Sequence, residues 1–307
     1  MLIIENLRKR LTEVKPIFNL LFEAAIKNQI HKGDLLLVNI SAGYTQIEQF
    51  DAKKDVIIKK EICGIGIGTE GIIERTIIDF INGFINHYGF TGEQVDVIYN
   101  DYFDKLYKQN IPDNHELIFS LQIEKLVYLK IWESNKFLYR LNQLSKILNR
   151  ERFDWRAKVP LTSKHIFFRT FRDSLKVEFP DFFAILSKAF KTQIRNAIAH
   201  SQFYFVGNRI VFEGYEEYEE GQSVSSITFE EWDSMFLETI VLFISYNEFM
   251  IKIDEYYREL EKNTYKQGIK VRFSNNNHPV LTTKCKIGTQ SHWDFKCKSC
   301  QSNCFIK

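Results

Sequence analysis

Apolar and polar positions alternate along this chain with periods that change from segment to segment. Residues 1 to about 30 mix apolar and charged positions at helical spacing and predict an opening helix. Residues 34–40, 44–50 and 55–67 then read as strand-like runs with turn residues between them, enough for a small sheet. From Ile72 the period becomes helical again. Ile73, Ile77, Phe80 and Phe84 step by four, three and four and put one apolar stripe on a helix. Residues 114 to about 150 predict one long helix, with Phe137, Leu141, Leu144 and Leu148 on one face of its second half.

A shorter helix follows from about 163 to 177, with Lys164, Arg169 and Arg172 among its basic residues, and Pro180 ends it. Residues 181–201 predict the next helix: a proline precedes it and Asp181 lies in its first turn, both favourable near a helix amino terminus. Phe203 to Val206 and Arg209 to Phe212 flank Gly207-Asn208, a short-range hairpin signal. An acidic loop leads to Thr228-Phe-Glu-Glu231, a capping-box sequence. It opens a last long helix with Trp232, Phe236, Ile240, Phe243, Met250, Ile253, Tyr257 and Leu260 at helical spacing. After about Asn263 the pattern fails, and polar residues 275–279 read as a linker into a cysteine-rich end. The expected organisation is mainly α: an α+β region over 1–70, a helical domain over 71–265, and a Cys-rich element over 270–307.

Composition adds limits. The 307 residues are 45% apolar, ordinary for a globular protein that buries a core. With 41 basic against 39 acidic residues the net charge is +2, so no field over the whole molecule would hold a polyanion, and nucleic-acid contact must be local. The 27 Phe and 14 Tyr recur at helical spacing and read as core packing more than as base-stacking platforms. Charged residues interrupt the amino-terminal apolar positions, so no secretory signal is expected. The run from Thr239 to Tyr246 is far short of the roughly 20 residues that span a bilayer. The expected setting is the cytoplasm, with no membrane partner.

Chemistry concentrates in Ile194-Arg-Asn-Ala-Ile-Ala-His200. On a helix Asn196 and His200 are four apart and share a face, while Arg195 sits beside Asn196 and reaches the same region with a long side chain. Arginine offers a planar, permanently charged fork for phosphate oxygens, and histidine exchanges a proton near neutral pH. Asn196 could orient the imidazole or bind substrate. Ala197 and Ala199 read as small residues that keep the helix surface low. An Arg and a His five apart also occur by chance facing solvent, so the whole segment in its helical context carries the signal.

At this point the chain resembles the HEPN family (higher eukaryotes and prokaryotes nucleotide-binding domains), marked by Arg, often Asn, and His four to six residues beyond the Arg. The resemblance covers at least residues 114–260. It implies a HEPN-like helical bundle that forms a homodimer, two motifs facing across a composite cleft. It also implies metal-independent cleavage of single-stranded or tRNA-like RNA, the 2'-hydroxyl attacking the adjacent phosphate to leave a 2',3'-cyclic phosphate. His200 would be general acid or base, Arg195 would stabilise the phosphorane charge and Asn196 would support them. An antiviral, abortive-infection or toxin role with an antitoxin or defence partner is the family's setting. Toxins of its nucleotidyltransferase-paired branch carry His-x-Tyr; here Ser201 and Gln202 follow His200 and the nearest tyrosine is Tyr204, so tyrosine-based regulation is not supported. The runner-up is a HEPN module that binds RNA or protein without cutting.

Two further signals compete. Gly66-Ile-Gly-Thr-Glu-Gly71 matches a dinucleotide-binding pattern between a strand and a helix, and suggests a nucleotide-sensing regulator. The helical remainder and the missing acidic residue about 20 positions on favour a plain glycine turn. Cys297-Lys-Ser-Cys300 is a two-residue knuckle, and Cys304 with Cys285 would complete a four-thiolate structural zinc site, His292 being the substitute ligand. Unliganded or redox-active thiols are the alternative. Lys284, Lys286, Lys296 and Lys298 around it could touch RNA phosphates. Cys63 is isolated and expected to be buried.

Overall fold

A computed structural model describes residues 1–28, 42–51, 56–65, 69–107, 115–151, 158–213, 224–263, 269–275, 278–287, 293–297 and 305–306. The chain is mainly helical. In order it forms α1 (Ile4–Lys27), β1 (Ala42–Asp51), β2 (Val56–Ile65), α2 (Thr69–Tyr88), α3 (Gly92–Tyr107), α4 (His115–Trp132) and α5 (Asn135–Leu148). Then come α6 (Lys164–Asp173), α7 (Pro180–Ala189), α8 (Thr192–Ala199), β3 (Phe203–Val206), β4 (Arg209–Phe212), β5 (Ser226–Thr228) and α9 (Phe229–Asn263). The last elements are β6 (Ile269–Asn275), β7 (His278–Ile287), β8 (Trp293–Cys297) and β9 (Phe305–Ile306). The predicted strand at 34–40 lies outside the described residues.

Two compact units share these elements. The first takes Met1–Phe18, Thr76–Leu138 and Phe168–Tyr246; the second takes Asn19–Arg75, Tyr139–Phe167 and Asn247–Lys307. In the first, Trp132, Trp232, Tyr128, Phe236, Phe168 and Phe182 are fully buried. Trp232 stacks on Phe236, with ring centroids 5.9 Å apart, and packs tilted against Tyr128 at 5.6 Å. The second holds an antiparallel sheet ordered β1-β2-β8-β7-β6, with β9 pairing β2. The segment read as a linker, 275–279, has its ends in two paired strands, with Asn275 facing His278. Asn275, His278 and Pro279 are strand residues, and polarity alone does not distinguish a linker from the ends of paired strands.

The predicted helix 114–150 is two helices. Ser134 breaks it: its N–H donates to Ile131, and its hydroxyl accepts the Phe137 N–H at 3.3 Å, capping a new helix. Phe137, Leu141, Leu144 and Leu148 are all buried. In α2 the stripe is rotated from the predicted one. Ile81 and Phe84 are buried while Phe80 is 40% exposed, because the overlapping set Ile77, Ile78, Ile81 and Phe84 has helical spacing too.

The capping box at α9 forms in both directions, Thr228 N–H to Glu231 Oε2 at 2.8 Å and Glu231 N–H to Thr228 Oγ1 at 3.1 Å. Residues Phe229–Ile253 are long and apolar enough to cross a membrane, and 67% of the most apolar window is buried within the protein, as in a core helix.

Candidate functional site

The motif lies wholly in the first unit. The predicted helix 181–201 is broken in its middle, where Phe190 and Lys191 are extended (φ −128°, ψ 125° and φ −126°, ψ 115°). No glycine or proline causes the break. The Phe190 ring packs 4.7 Å from Trp132 and 4.4 Å from Phe168, centroid to centroid. The Thr239 hydroxyl donates to the Ala189 carbonyl at 2.7 Å, and the Lys191 N–H reaches the Tyr128 hydroxyl at 3.4 Å. Tertiary partners take over where the helical ladder stops.

The remaining helix, α8, has eight residues, and His200 is its C-cap (φ −100°, ψ 8°). Ser201 follows in the left-handed region at φ 56°. Its N–H bonds Ile198 O at 3.2 Å, and the Gln202 N–H bonds Ala197 O at 2.8 Å. This pair of bonds is a Schellman motif, which normally takes glycine where Ser201 stands. It stops the helix directly after His200 and turns the chain into β3.

The hairpin is as the sequence predicts: Val206 faces Arg209 across Gly207-Asn208, and Gly207 has φ 54°. The Tyr102 hydroxyl donates to the Gly207 carbonyl at 2.6 Å and ties the turn to α3.

Within the motif, Ile194, Ala197 and Ile198 are buried. Ala197, expected to keep the outer surface low, instead faces the core, and Ala199 is exposed. His200 is exposed and Asn196 half-buried, one turn apart; the His200 N–H donates to the Asn196 carbonyl at 3.0 Å. Arg195 leans the other way. Its Nη1 lies 3.1 Å from a Glu133 carboxylate oxygen, its side chain is 14% exposed, and its Nε is buried without a hydrogen-bond partner. Burial pushes the Tyr128 phenol well above its ordinary range, offset in part by the Lys191 N–H and the Arg195 charge.

Glu133 is the residue that sequence reasoning missed. It closes α4, far from Arg195 in sequence, and no local spacing links the two. Arg195 and His200 are five positions apart, about 140° around a helix, so the exposed group and the anchored group leave α8 in different directions.

Of the candidate zinc ligands, Cys285 in β7 and Cys297 in β8 lie on neighbouring antiparallel strands; Cys285 pairs with Phe295 and Thr283 with Cys297, a diagonal placement. Cys300, Cys304 and His292 lie outside the described residues, as do Gly66 and Gly68. Gly71 falls inside α2 and Cys63 inside β2. No cluster of three metal-ligating side chains occurs among the described residues.

Comparison with known protein families, with curated proteins and with solved structures gives no match.

Proposed function

We propose that this chain is a metal-independent endoribonuclease of HEPN type, acting through Arg195, Asn196 and His200. One observation supports it most: His200 stands exposed at the end of a short helix whose Ile194, Ala197 and Ile198 are buried, one turn beyond Asn196, where a phosphodiester can approach its ring. His200 moves the proton of the attacking 2'-hydroxyl or of the leaving 5'-oxygen. The guanidinium of Arg195 opposes the charge that grows on phosphorus-bound oxygens, and its unpartnered Nε is a donor still to be satisfied. Asn196 holds the imidazole or the substrate. Because Arg195 and His200 diverge on α8, one copy supplies each group to a cleft completed by the other. A homodimer is the working form, cytoplasmic and held in check by an antitoxin or defence partner.

A second reading has its own observation. The ion pair with Glu133 and the 14% exposure of Arg195 suit a structural arginine in an RNA- or protein-binding module without catalysis.

Incubation of the purified protein with tRNA and a single-stranded RNA in excess chelator tests the first reading. New 3' ends carrying a 2',3'-cyclic phosphate are expected; intact RNA, or cleavage that leaves 3'-hydroxyl ends, rules it out.

We also propose that Cys285, Cys297, Cys300 and Cys304 hold a structural zinc, which as a closed four-thiolate site supplies folding energy and no open position for water. The diagonal placement of Cys285 and Cys297 on paired strands suits a shared ion. Stoichiometric zinc, lost in the Cys297→Ser, Cys300→Ser variant, is the expected result, and metal-free wild-type protein the contrary one.

A further inference from the structure

The hairpin that follows the motif helix has two unlike faces. Phe203 and Phe205 of β3 are half-buried, and Ile210 and Phe212 of β4 are buried, on the inner one. The two phenylalanine rings close over Lys125 of α4, which is 2% exposed, its Nζ 3.6 Å from the Phe203 ring centroid and 4.6 Å from that of Phe205. Burial and the contact of the amine with the ring faces account for these inner rings. The alternate residues point outward. Tyr204 is 45% exposed and Val206 55%, and on the paired strand Arg209 is exposed and Val211 half-buried.

Packing does not account for the outer ring. Among the described residues Tyr204 makes no ring contact and no side-chain hydrogen bond. Arg209 is held flat beside it: its Nε donates to the Ser226 hydroxyl at 2.9 Å and its Nη2 to the Ser226 carbonyl at 3.5 Å, while no carboxylate pairs with it among the described residues. Tyr204 pairs with Val211, and Val211 with Ser226, so the ring, Val211 and the guanidinium form one row across three strands. At ordinary strand spacing the row is roughly 10 Å from end to end. Glu213 is exposed at the end of β4 beside Gln202, so the positive charge of this face lies at the Arg209 side. Ser201, Gln202 and Phe203 separate His200 from Tyr204, and the Schellman motif turns the chain from one toward the other. Four residues span at most about 14 Å.

We propose that the outer face of β3 and β4 is a subsite for single-stranded RNA beside the scissile phosphate: an unpaired base stacks on Tyr204, and a neighbouring phosphate lies against the guanidinium of Arg209. The proposal rests on the ribonuclease reading of His200. Each half of the row recognises one half of a nucleotide. A base of any identity offers a flat face to the phenol ring, so the subsite demands no sequence. The fork of Arg209 keeps donors for phosphate oxygens beyond those that bind Ser226. In a duplex the bases are already stacked on one another and present no face to Tyr204, so the row selects unpaired RNA. An acidic peptide would satisfy Arg209 and leave the ring without a flat partner. Tyr204 and Arg209 are therefore positioning residues: they hold the strand while His200 moves the proton.

The test measures binding of a short fluorescein-labelled oligouridine by anisotropy, in chelator, to the full chain carrying His200→Ala so that the strand stays intact. Adding Tyr204→Ala is expected to weaken binding about ten-fold, whereas Tyr204→Phe, which keeps the ring, stays within about two-fold. Arg209→Gln is expected to lower the slope of log affinity against log salt by about 0.7, one phosphate contact on a single strand. No binding by the parent, unchanged binding by Tyr204→Ala, or a loss in Tyr204→Phe as large as in Tyr204→Ala overturns the proposal. Cleavage kinetics with His200 restored keep the two readings apart. A higher KM in Tyr204→Ala supports the subsite, and an unchanged KM in an active enzyme overturns the subsite alone. Binding that depends on Tyr204 in a wild-type chain that cuts no RNA supports the stacking row and overturns the ribonuclease reading.

Discussion

The guanidinium of Arg195 stands 3.1 Å from the carboxylate of Glu133, an ion pair that fastens the motif helix to the end of α4. In the proposed enzyme this contact positions the arginine. Glu133→Gln keeps the volume and removes the charge. Because Glu133 is 39% exposed, the stability cost is small, below about 1 kcal/mol, while RNA cleavage should fall by about ten-fold as Arg195 loses its anchor. Rates of cleavage measured beside urea midpoints separate the two effects. Unchanged cleavage with unchanged stability would show that Glu133 does not position the arginine.

Ser201 gives a prediction about local strain. A serine at φ 56° closes the Schellman motif behind His200. Ser201→Val adds a branched Cβ where the left-handed region tolerates it least, and should cost about 1–2 kcal/mol. Ser201→Gly relieves the backbone while loosening the unfolded chain, so its effect should stay within about 1 kcal/mol of wild type. Equal stability of the valine and glycine variants in urea would contradict the left-handed assignment.

These two predictions separate what was legible in the sequence from what was not. The hairpin at Gly207 and the capping box at Thr228 and Glu231 were legible because each is specified by neighbours in the chain. The break at Phe190 was not. It is made by Trp132, Phe168, Tyr128 and Thr239, all remote in sequence, and Phe190 itself continues the apolar period. Ser134 offered a cap, but the apolar run on both sides concealed it. The motif residues could be named from the sequence, yet the direction of Arg195 depends on Glu133, and pattern alone carries no such information. Lys125 was equally hidden: α4 is apolar nearly all round, and nothing local says that its lysine is turned inward.

Lys125 also predicts a pH dependence. Its amine, pushed down to about 7 in the folded protein, is ordinary in the unfolded chain, which therefore binds more protons between those values. Its contribution to stability is fully present above about pH 10.5 and is lost as pH falls through about 7. Lys125→Met removes the dependence. The variant should be more stable than wild type by about 1–3 kcal/mol near pH 7, with the difference shrinking toward pH 10. Urea midpoints across pH 6–10 measure it; a difference that is constant, or that grows with pH, contradicts the buried amine.

Glu124 tests the network beneath Trp232. Its two oxygens accept from two separate donors, Leu2 N–H and Trp232 Nε1. Glutamine has one acceptor oxygen, so Glu124→Gln turns an amide NH2 toward one of the donors and should cost about 1–3 kcal/mol. Burial pushes the Glu124 carboxyl up to about 7, so its own contribution is full below about pH 4.5 and declines as pH rises through 7. Near pH 5, where the wild-type carboxyl is mostly protonated and destabilises least, the gap between wild type and variant should be widest. A gap that is narrowest there contradicts the assignment.

The most direct measurement compares RNA cleavage by wild type, Arg195→Ala and His200→Ala in chelator, with circular dichroism showing that all three are folded. His200 is exposed and removing it disturbs no buried packing, so a loss of activity reports on chemistry. The account predicts that His200→Ala lowers the cleavage rate by about 10²–10⁴-fold and Arg195→Ala by a comparable factor. Equal cleavage by all three folded proteins would contradict it.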